Sequence, residues 1–297
     1  MTSEPAVTYK GRFAPSPTGR LHFGSLVAAI ASYCDAKSNN GDWLLRIEDL
    51  DPPRIVPGSS YDIIKTLEGF GFEWDGEILY QSNRLHLYKS ALEDILQIIP
   101  QTAYQCGCTR KELAAIFGLA YYPGICREGL QDGKSGRSVR FKVSHNVHIS
   151  WEDVIQGKQD FKKEEISDFV IKRGDGLFAY HLAVVVDDYD CGITHVVRGR
   201  DLLNSTPAHL LLQSSLRLDQ PIYAHLPIAK NYLELKLGKK TQANPVEIKN
   251  ADKIIADALL FLGQDEVAMS RPSIMLSQAI SQWDISKLPR RSDSIWS

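Results

Sequence analysis

The segment RFAPSPTGRLHFGS (residues 12–25) sets two prolines and two glycines between an apolar stretch and a run of small and apolar residues. A strand, a turn shaped by Gly and Pro, and a helix start would present backbone N–H groups and the positive end of a helix dipole to one anion. His22 adds a hydrogen-bond donor, and Gly24 leaves room for a ligand to lie against the chain. The glycine spacing fits neither the P-loop nor the dinucleotide fingerprint, so the turn needs another explanation. Far along the chain, KLGKK (236–240) offers Lys236, Lys239 and Lys240 on a glycine-containing loop, as point charges able to reach negative oxygens. A lysine-rich loop by itself is also an ordinary solvated surface. Arg12 and Glu48 are charges set within apolar strand patterns, an expensive placement unless something pairs with them.

A second constellation is CGCTRKELAAIFGLAYYPGIC (106–126), which holds three of the five cysteines. They are too few and too unevenly spread for a disulfide scaffold, and their clustering suggests metal. Zinc takes four ligands in a tetrahedron, so three sulfurs leave one place open. Tyr121, Tyr122, His145 and His148 are the candidates for it. Cys34 and Cys191 read as ordinary residues of apolar segments.

The elements that must carry these groups follow from periodicity. VTYKGRFA (7–14) reads as a strand, SLVAAIASYCDAK (25–37) as a helix packed closely on a sheet, and WLLRIEDLD (43–51) as a buried strand leading into a loop. PGSSYDIIKTLEGFGF (57–72) has serines suited to capping a helix, and Leu85, Tyr88, Leu92, Ile95 and Ile99 mark another helix. Strand, helix, strand, helix is the rhythm of a parallel sheet, hence an α/β class. Between residues 104 and 164 short strands such as SVRFKV and VHISWEDV break the rhythm as an α+β insertion. Alternation is expected to resume at DFVIKR and GLFAYHLAVVVDDYD. Asp187 and Asp188 would then stand at a strand's carboxyl end, as turn formers or substrate contacts. A strand-to-helix passage (196–218), the strand IYAHLPI and two short helices in the tail complete the chain.

A net charge of -2 excludes a globally basic nucleic-acid coat and leaves room only for local patches. The first residues lack the basic start and apolar core of a secretory signal, and no apolar run approaches the ~18 residues needed to span a bilayer. The expectation is a cytoplasmic protein without membrane contact.

Four motifs in order, RFAPSPTGRLHFGS (12–25), RIEDLDPPR (46–54), LFAYHLAVVVDD (177–188) and VVRGRDLL (196–203), together with the lysine loop, resemble the glutamyl-tRNA synthetase family of class I aminoacyl-tRNA synthetases. The resemblance implies a Rossmann-like catalytic domain in two halves, residues 1–103 and 166–235. A zinc-bearing inserted subdomain would occupy 104–165, and the signature loop with a helical C-terminal region 236–297. It implies ATP-dependent activation of L-glutamate, with Mg²⁺ accompanying the nucleotide. His22, Gly24 and Lys239 would be the catalytic residues. His22 and Gly24 would hold the phosphates with Lys236, and Lys239 would stabilise the departing pyrophosphate. Arg12 and Arg198 would meet the carboxylates of glutamate, Ser16 and Tyr180 would donate hydrogen bonds, and Glu48 would receive the α-amino group. Cys106, Cys108, Tyr122 and Cys126 would ligate one structural zinc. The short tail after Pro245 resembles the branch of the family that lacks an anticodon-binding domain and loads glutamate on queuosine of tRNA(Asp). A monomer is the expectation. Charging of the tRNA 3′ end and a non-catalytic binding module are the alternative readings. Two departures from the family signatures stand out: Ser25 replaces a second histidine and Gly238 replaces a serine.

Overall fold

In the computed structural model, which describes residues 8–97, 102–117, 122–231, 244–290 and 295–296, the first strand β1 (Lys10–Phe13) leads through a long turn to helix α1 (Phe23–Ser38). Then come β2 (Asp42–Ile47), α2 (Ser59–Gly69), β3 (Leu79–Tyr80) and α3 (Leu85–Gln97). β1, β2 and β3 are parallel neighbours in that order, with Arg12 opposite Leu44 and Arg46 opposite Leu79. Small residues let α1 lie close to the sheet: Ala29, Ala31 and Ala36 are fully buried beside Trp43, Leu45 and Ile47. The expected serine cap of α2 is absent. Gly58, at φ 80°, precedes the helix, and Ser59 donates its hydroxyl to the Pro17 carbonyl instead, tying α2 to the turn after β1.

The inserted region contains β4 (Ala103–Cys106), α4 (Arg110–Phe117), β5 (Ser138–Phe141), β6 (His148–Asp153), β7 (Gly157–Lys162) and β8 (Phe169–Lys172). β8, expected to resume the parallel alternation, pairs antiparallel with β5, which pairs antiparallel with β4. Periodicity describes the burial of a strand but not its neighbour, so this assignment needed the tertiary structure. β6 and β7 form a separate antiparallel hairpin.

The next correction concerns residues 180–190. YHLAVVVDDYD is helix α5 (Tyr180–Asp190), not a strand with an acidic end. Leu182 through Asp188 are all buried, and the short apolar run LAVVV within them has no period to tell helix from strand. Parallel strands β9 (His195–Gly199) and β10 (Ile222–Leu226) flank α6 (Thr206–Leu216). The Thr194 amide donates to the Lys10 carbonyl, joining this half of the sheet to β1 (2.9 Å). After β11 (Lys230–Asn231), helices α7 (Ala251–Phe261) and α8 (Pro272–Ser281) pack on α1 through Ile255, Leu259, Met275 and Leu276, and β12 (Ile295–Trp296) pairs with β11. Ile99 of the α3 pattern lies outside the described residues.

Asp187 and Asp188 therefore sit on a buried helix, where each is paired. Asp188 accepts from Arg46 (2.6 Å) and Arg12 (3.3 Å). Asp187 accepts from Arg84 (2.7 Å), Gln81 (2.8 Å) and the Tyr88 hydroxyl (2.9 Å). These bonds fasten α5 to β1, β2 and α3. Burial alone would push Asp188 up, but Arg12 and Arg46 hold it below the ordinary carboxylate range. A carboxylate depressed in the native state stabilises it above the unfolded pKa, and that contribution is lost as pH falls through the native value. Asp188→Asn leaves two buried guanidinium groups undercompensated, and we expect it to cost about 3–5 kcal/mol in urea unfolding at neutral pH. The gap from wild type should narrow as pH drops below about 4; a gap of constant size would contradict this pairing.

Candidate active site

The turn between β1 and α1 is held from both sides. The Glu48 amide donates to the Pro15 carbonyl (3.0 Å) and the Val56 amide to that of Pro17 (3.0 Å), so the exits of β1 and β2 are joined. His22 caps α1 from an extended backbone conformation, and no acidic residue occupies the first turn, leaving the positive end of the helix open to an anion. The His22 Nδ1 accepts from the Ser25 amide (3.3 Å), so Nδ1 carries no proton in the neutral ring. The hydrogen on Nε2 is then donated to Ser25 Oγ (3.0 Å). Ser25, which departs from the family signature, thus orients the histidine that precedes it.

A cavity of about 520 Å³ opens at this turn, at the carboxyl ends of the parallel strands. Its walls include Arg12, Ser16, His22, Gly24, Glu48, Tyr180 and Arg198, every sequence-predicted nucleotide and glutamate residue that the structure describes. Lys236 and Lys239, with Gly238 and Lys240, lie outside the described residues. The chain on both sides of them starts from the cavity. Pro227, Ile228 and Ala229 line it, and Pro245 forms an antiparallel bridge with His22, with Val246 donating to the Leu21 carbonyl (3.0 Å).

The charges along the walls are arranged unequally. Arg12 is neutralised by Asp188 behind it. Arg198 is held in another way: Nε donates to His225 Nε2 (3.0 Å), Nη2 to Thr206 Oγ1 (2.8 Å) and Nη1 to His209 Nδ1 (3.3 Å). The Tyr180 hydroxyl lies 3.5 Å from the same guanidinium. Those partners are neutral. Burial and Arg198 push His209 well below the usual histidine range, and burial lowers His225 even though Asp153 opposes it. Burial pushes Tyr180 up to about 12, which keeps its hydroxyl protonated and able to donate. Glu48 accepts from Arg46 (3.2 Å), yet burial still outweighs Arg46 and Arg12 and leaves its pKa above the ordinary value. A carboxylate in that state gains from a cationic ligand. Arg46, His225, Thr206 and His209 had been given no role; the signal for Arg46 and His225 was a polar residue inside the apolar runs WLLRI and IYAHL.

The inserted sheet gathers the cysteines. The sulfurs of Cys106, Cys108 and Cys126 all lie within 4.8 Å of one another, and the Tyr122 hydroxyl is 3.4 Å from Cys106 Sγ while accepting from the Cys126 amide (3.0 Å). Three sulfurs and an oxygen converge, as a tetrahedral metal site requires. Burial raises the Cys106 thiol, but Tyr122, the Cys108 amide and Arg140 bring it down to about 7. The alternative histidine ligands point elsewhere: His145 meets Arg127 and His148 meets Asp160. Tyr121 lies outside the described residues. Cys34 is fully buried and Cys191 partly so, both as thiols.

No helix among the described residues is long and apolar enough to cross a membrane. The family model for the catalytic domain of class I tRNA synthetases (E and Q) matches residues 8–118 and 125–257. A glutamyl-Q tRNA(Asp) synthetase from Chromobacterium violaceum is 48% identical over 288 residues, covering 95% of this chain and 95% of that protein. One from Dechloromonas aromatica is 46% identical, covering 96% of this chain and 97% of that protein. Among solved structures, the glutamate-tRNA synthetase from Elizabethkingia anophelis superposes with a TM-score of 0.82 at 29% identity, over 96% of this chain and 68% of that one. Matched by the family model over most of its length, the chain belongs to the class I tRNA synthetase family of the glutamyl and glutaminyl type.

Proposed function

We propose that the protein joins L-glutamate to AMP at the expense of ATP and transfers the activated glutamate to queuosine in tRNA(Asp). The observation that carries the first step is the single cavity in which an open helix N-terminus capped by His22 faces Arg12, Glu48, Tyr180 and Arg198. The match to synthetases of that specificity over nearly the whole chain supports the second step.

In this reading the phosphates of ATP lie against His22, Gly24 and the first amides of α1, where the ring is held by Ser25. Mg²⁺ accompanying the nucleotide would neutralise phosphate charge. Arg12 and Arg198 receive the two carboxylates of glutamate, Ser16 and Tyr180 donate to it, and Glu48 takes the ammonium. The α-carboxylate oxygen attacks the α-phosphorus and the bond to pyrophosphate breaks. The protein contributes position and charge rather than a nucleophile. Lys239, with Lys236, meets the departing pyrophosphate; the anchoring of both flanks of their loop at the cavity supports this role. A hydroxyl of the queuosine ring then attacks the acyl-adenylate and AMP leaves. A modified base in a single-stranded anticodon loop can be splayed into a pocket without opening a duplex. Zinc held by Cys106, Cys108, Tyr122 and Cys126 would order an insertion too small to have a large core of its own.

Three measurements test these assignments. Lys239→Ala should lower glutamate-dependent exchange of pyrophosphate into ATP by about 10²–10³-fold, the loss seen when one preorganised transition-state donor is removed; undiminished exchange would remove the lysine from the mechanism. Acylation should require queuosine, with equal labelling of tRNA(Asp) containing and lacking it favouring the 3′ end instead. Metal analysis of the purified protein should give one zinc per chain, and Cys126→Ser should abolish it together with part of the thermal stability; full stability without metal would count against the site.

A further inference from the structure

We propose that Asp153, on the inserted hairpin, is a positioning residue for the glutamate site: it fixes the proton of His225 and thereby aims Arg198 into the cavity. This rests on the assignment of Arg198 to a glutamate carboxylate. The three groups form a continuous buried line, with Asp153 1% exposed, His225 0% and Arg198 5%. Asp153 Oδ2 lies 2.5 Å from His225 Nδ1, and His225 Nε2 lies 3.0 Å from Arg198 Nε.

The proton on the imidazole is dictated by its neighbours. Arginine only donates, so His225 Nε2 must present its lone pair to Arg198 and the ring hydrogen must sit on Nδ1. Asp153 is the acceptor that holds it there. Its other oxygen, Oδ1, is occupied by the backbone amides of Ile155 (3.2 Å), Gln156 (2.9 Å) and His225 (3.1 Å), so the carboxylate cannot rotate away. Gln156 also donates to the His225 carbonyl (2.7 Å), and the Val154 amide to that of Tyr223 (2.9 Å), which clamps the hairpin to β10. Thr206 Oγ1 accepts from Arg198 Nη2 and lies 3.2 Å from His225 Nε2, in the position to donate to the same lone pair.

An asparagine at this position exposes the logic. Its amide oxygen would have to stay with the three backbone N–H groups, turning its NH₂ toward His225 Nδ1. The ring would then accept there and carry its hydrogen on Nε2, against the N–H of Arg198. The guanidinium would lose its acceptor and move, although the volume of the side chain is unchanged. The inserted hairpin thus takes part in amino-acid recognition without touching the ligand.

The test is pyrophosphate exchange by the full-length protein, read separately for glutamate and ATP, with thermal melts and two-bond ¹H–¹⁵N spectra of the histidines. Asp153→Asn should raise the KM for glutamate by about tenfold or more, as for a lost hydrogen bond to a charged group, leave the KM for ATP near wild type, and move the His225 proton to Nε2. His225→Gln, whose amide can donate to Asp153 and accept from Arg198, should retain most of the glutamate affinity, whereas His225→Leu should not. Arg198→Lys separates the two layers of the argument. If it raises the glutamate KM while Asp153→Asn does not, the relay is wrong and the site assignment stands. If Arg198→Lys leaves glutamate KM unchanged, the assignment and the relay fall together. An Asp153→Asn protein that melts early and loses glutamate and ATP affinity alike would overturn the proposal in favour of a purely structural role.

Discussion

The buried ion pairs of Arg12 and Arg46 with Asp188 hold together the elements around the cavity. Arg12 and Arg46 emerge from adjacent parallel strands, and Asp188 from α5 answers both, while Asp187 on the same turn gathers Arg84, Gln81 and Tyr88. The desolvation of each ion is repaid only when its partners are close and its remaining lone pairs and protons are satisfied. These pairs hold α5 against β1 and β2 with Arg12 lining the cavity, while Arg46 Nε is buried without a hydrogen bond, 3.7 Å from Asp187 Oδ2. The same acids lie near the carboxyl end of α5, where the helix dipole disfavours them, so the arginines compensate for placement as well as burial.

The two arginines of the site differ in how their charge is balanced. Arg12 has Asp188 at its back, whereas the hydrogen bonds that hold Arg198 come from the neutral groups His225, His209, Thr206 and Tyr180. An orienting shell of neutral acceptors fixes direction without cancelling charge. Glu48 provides the opposite sign on the same wall, and burial raises its pKa despite Arg46 and Arg12. Under the proposed function these three positions would receive the two carboxylates and the ammonium of glutamate. The neighbouring start of α1, its preceding turn stitched to the β2 exit through Pro15 and Pro17, has no acidic residue in its first turn and borders the same space.

Much of this was readable along the chain. β1, α1 and β2 follow from hydrophobic patterning, and Arg12 and Glu48 stood out because a charge in an apolar strand demands an explanation. α5 was misread because a buried run with three valines carries no period and suggests a strand. The serines that open α2 had the composition of a cap, yet Gly58 takes the cap position and Ser59 donates to the carbonyl of Pro17, a residue far away in sequence. Arg46 and His225 carried the same polar-in-apolar signal as Arg12, and all three find an acidic partner on a distant element.

The sequence by itself determined several local pieces: the runs that form β1, α1 and β2, the turn shaped by Gly and Pro between the first two, and which cysteines cluster. These depend on contacts within a few residues, where spacing and geometry are the same thing. The tertiary structure alone decided that β8 joins the inserted sheet, that α5 is a helix carrying paired acids, and that Asp153 reaches Arg198 through His225. Such outcomes depend on which buried donor lies opposite which buried acceptor, and that is set by the packing of segments with no common period or spacing.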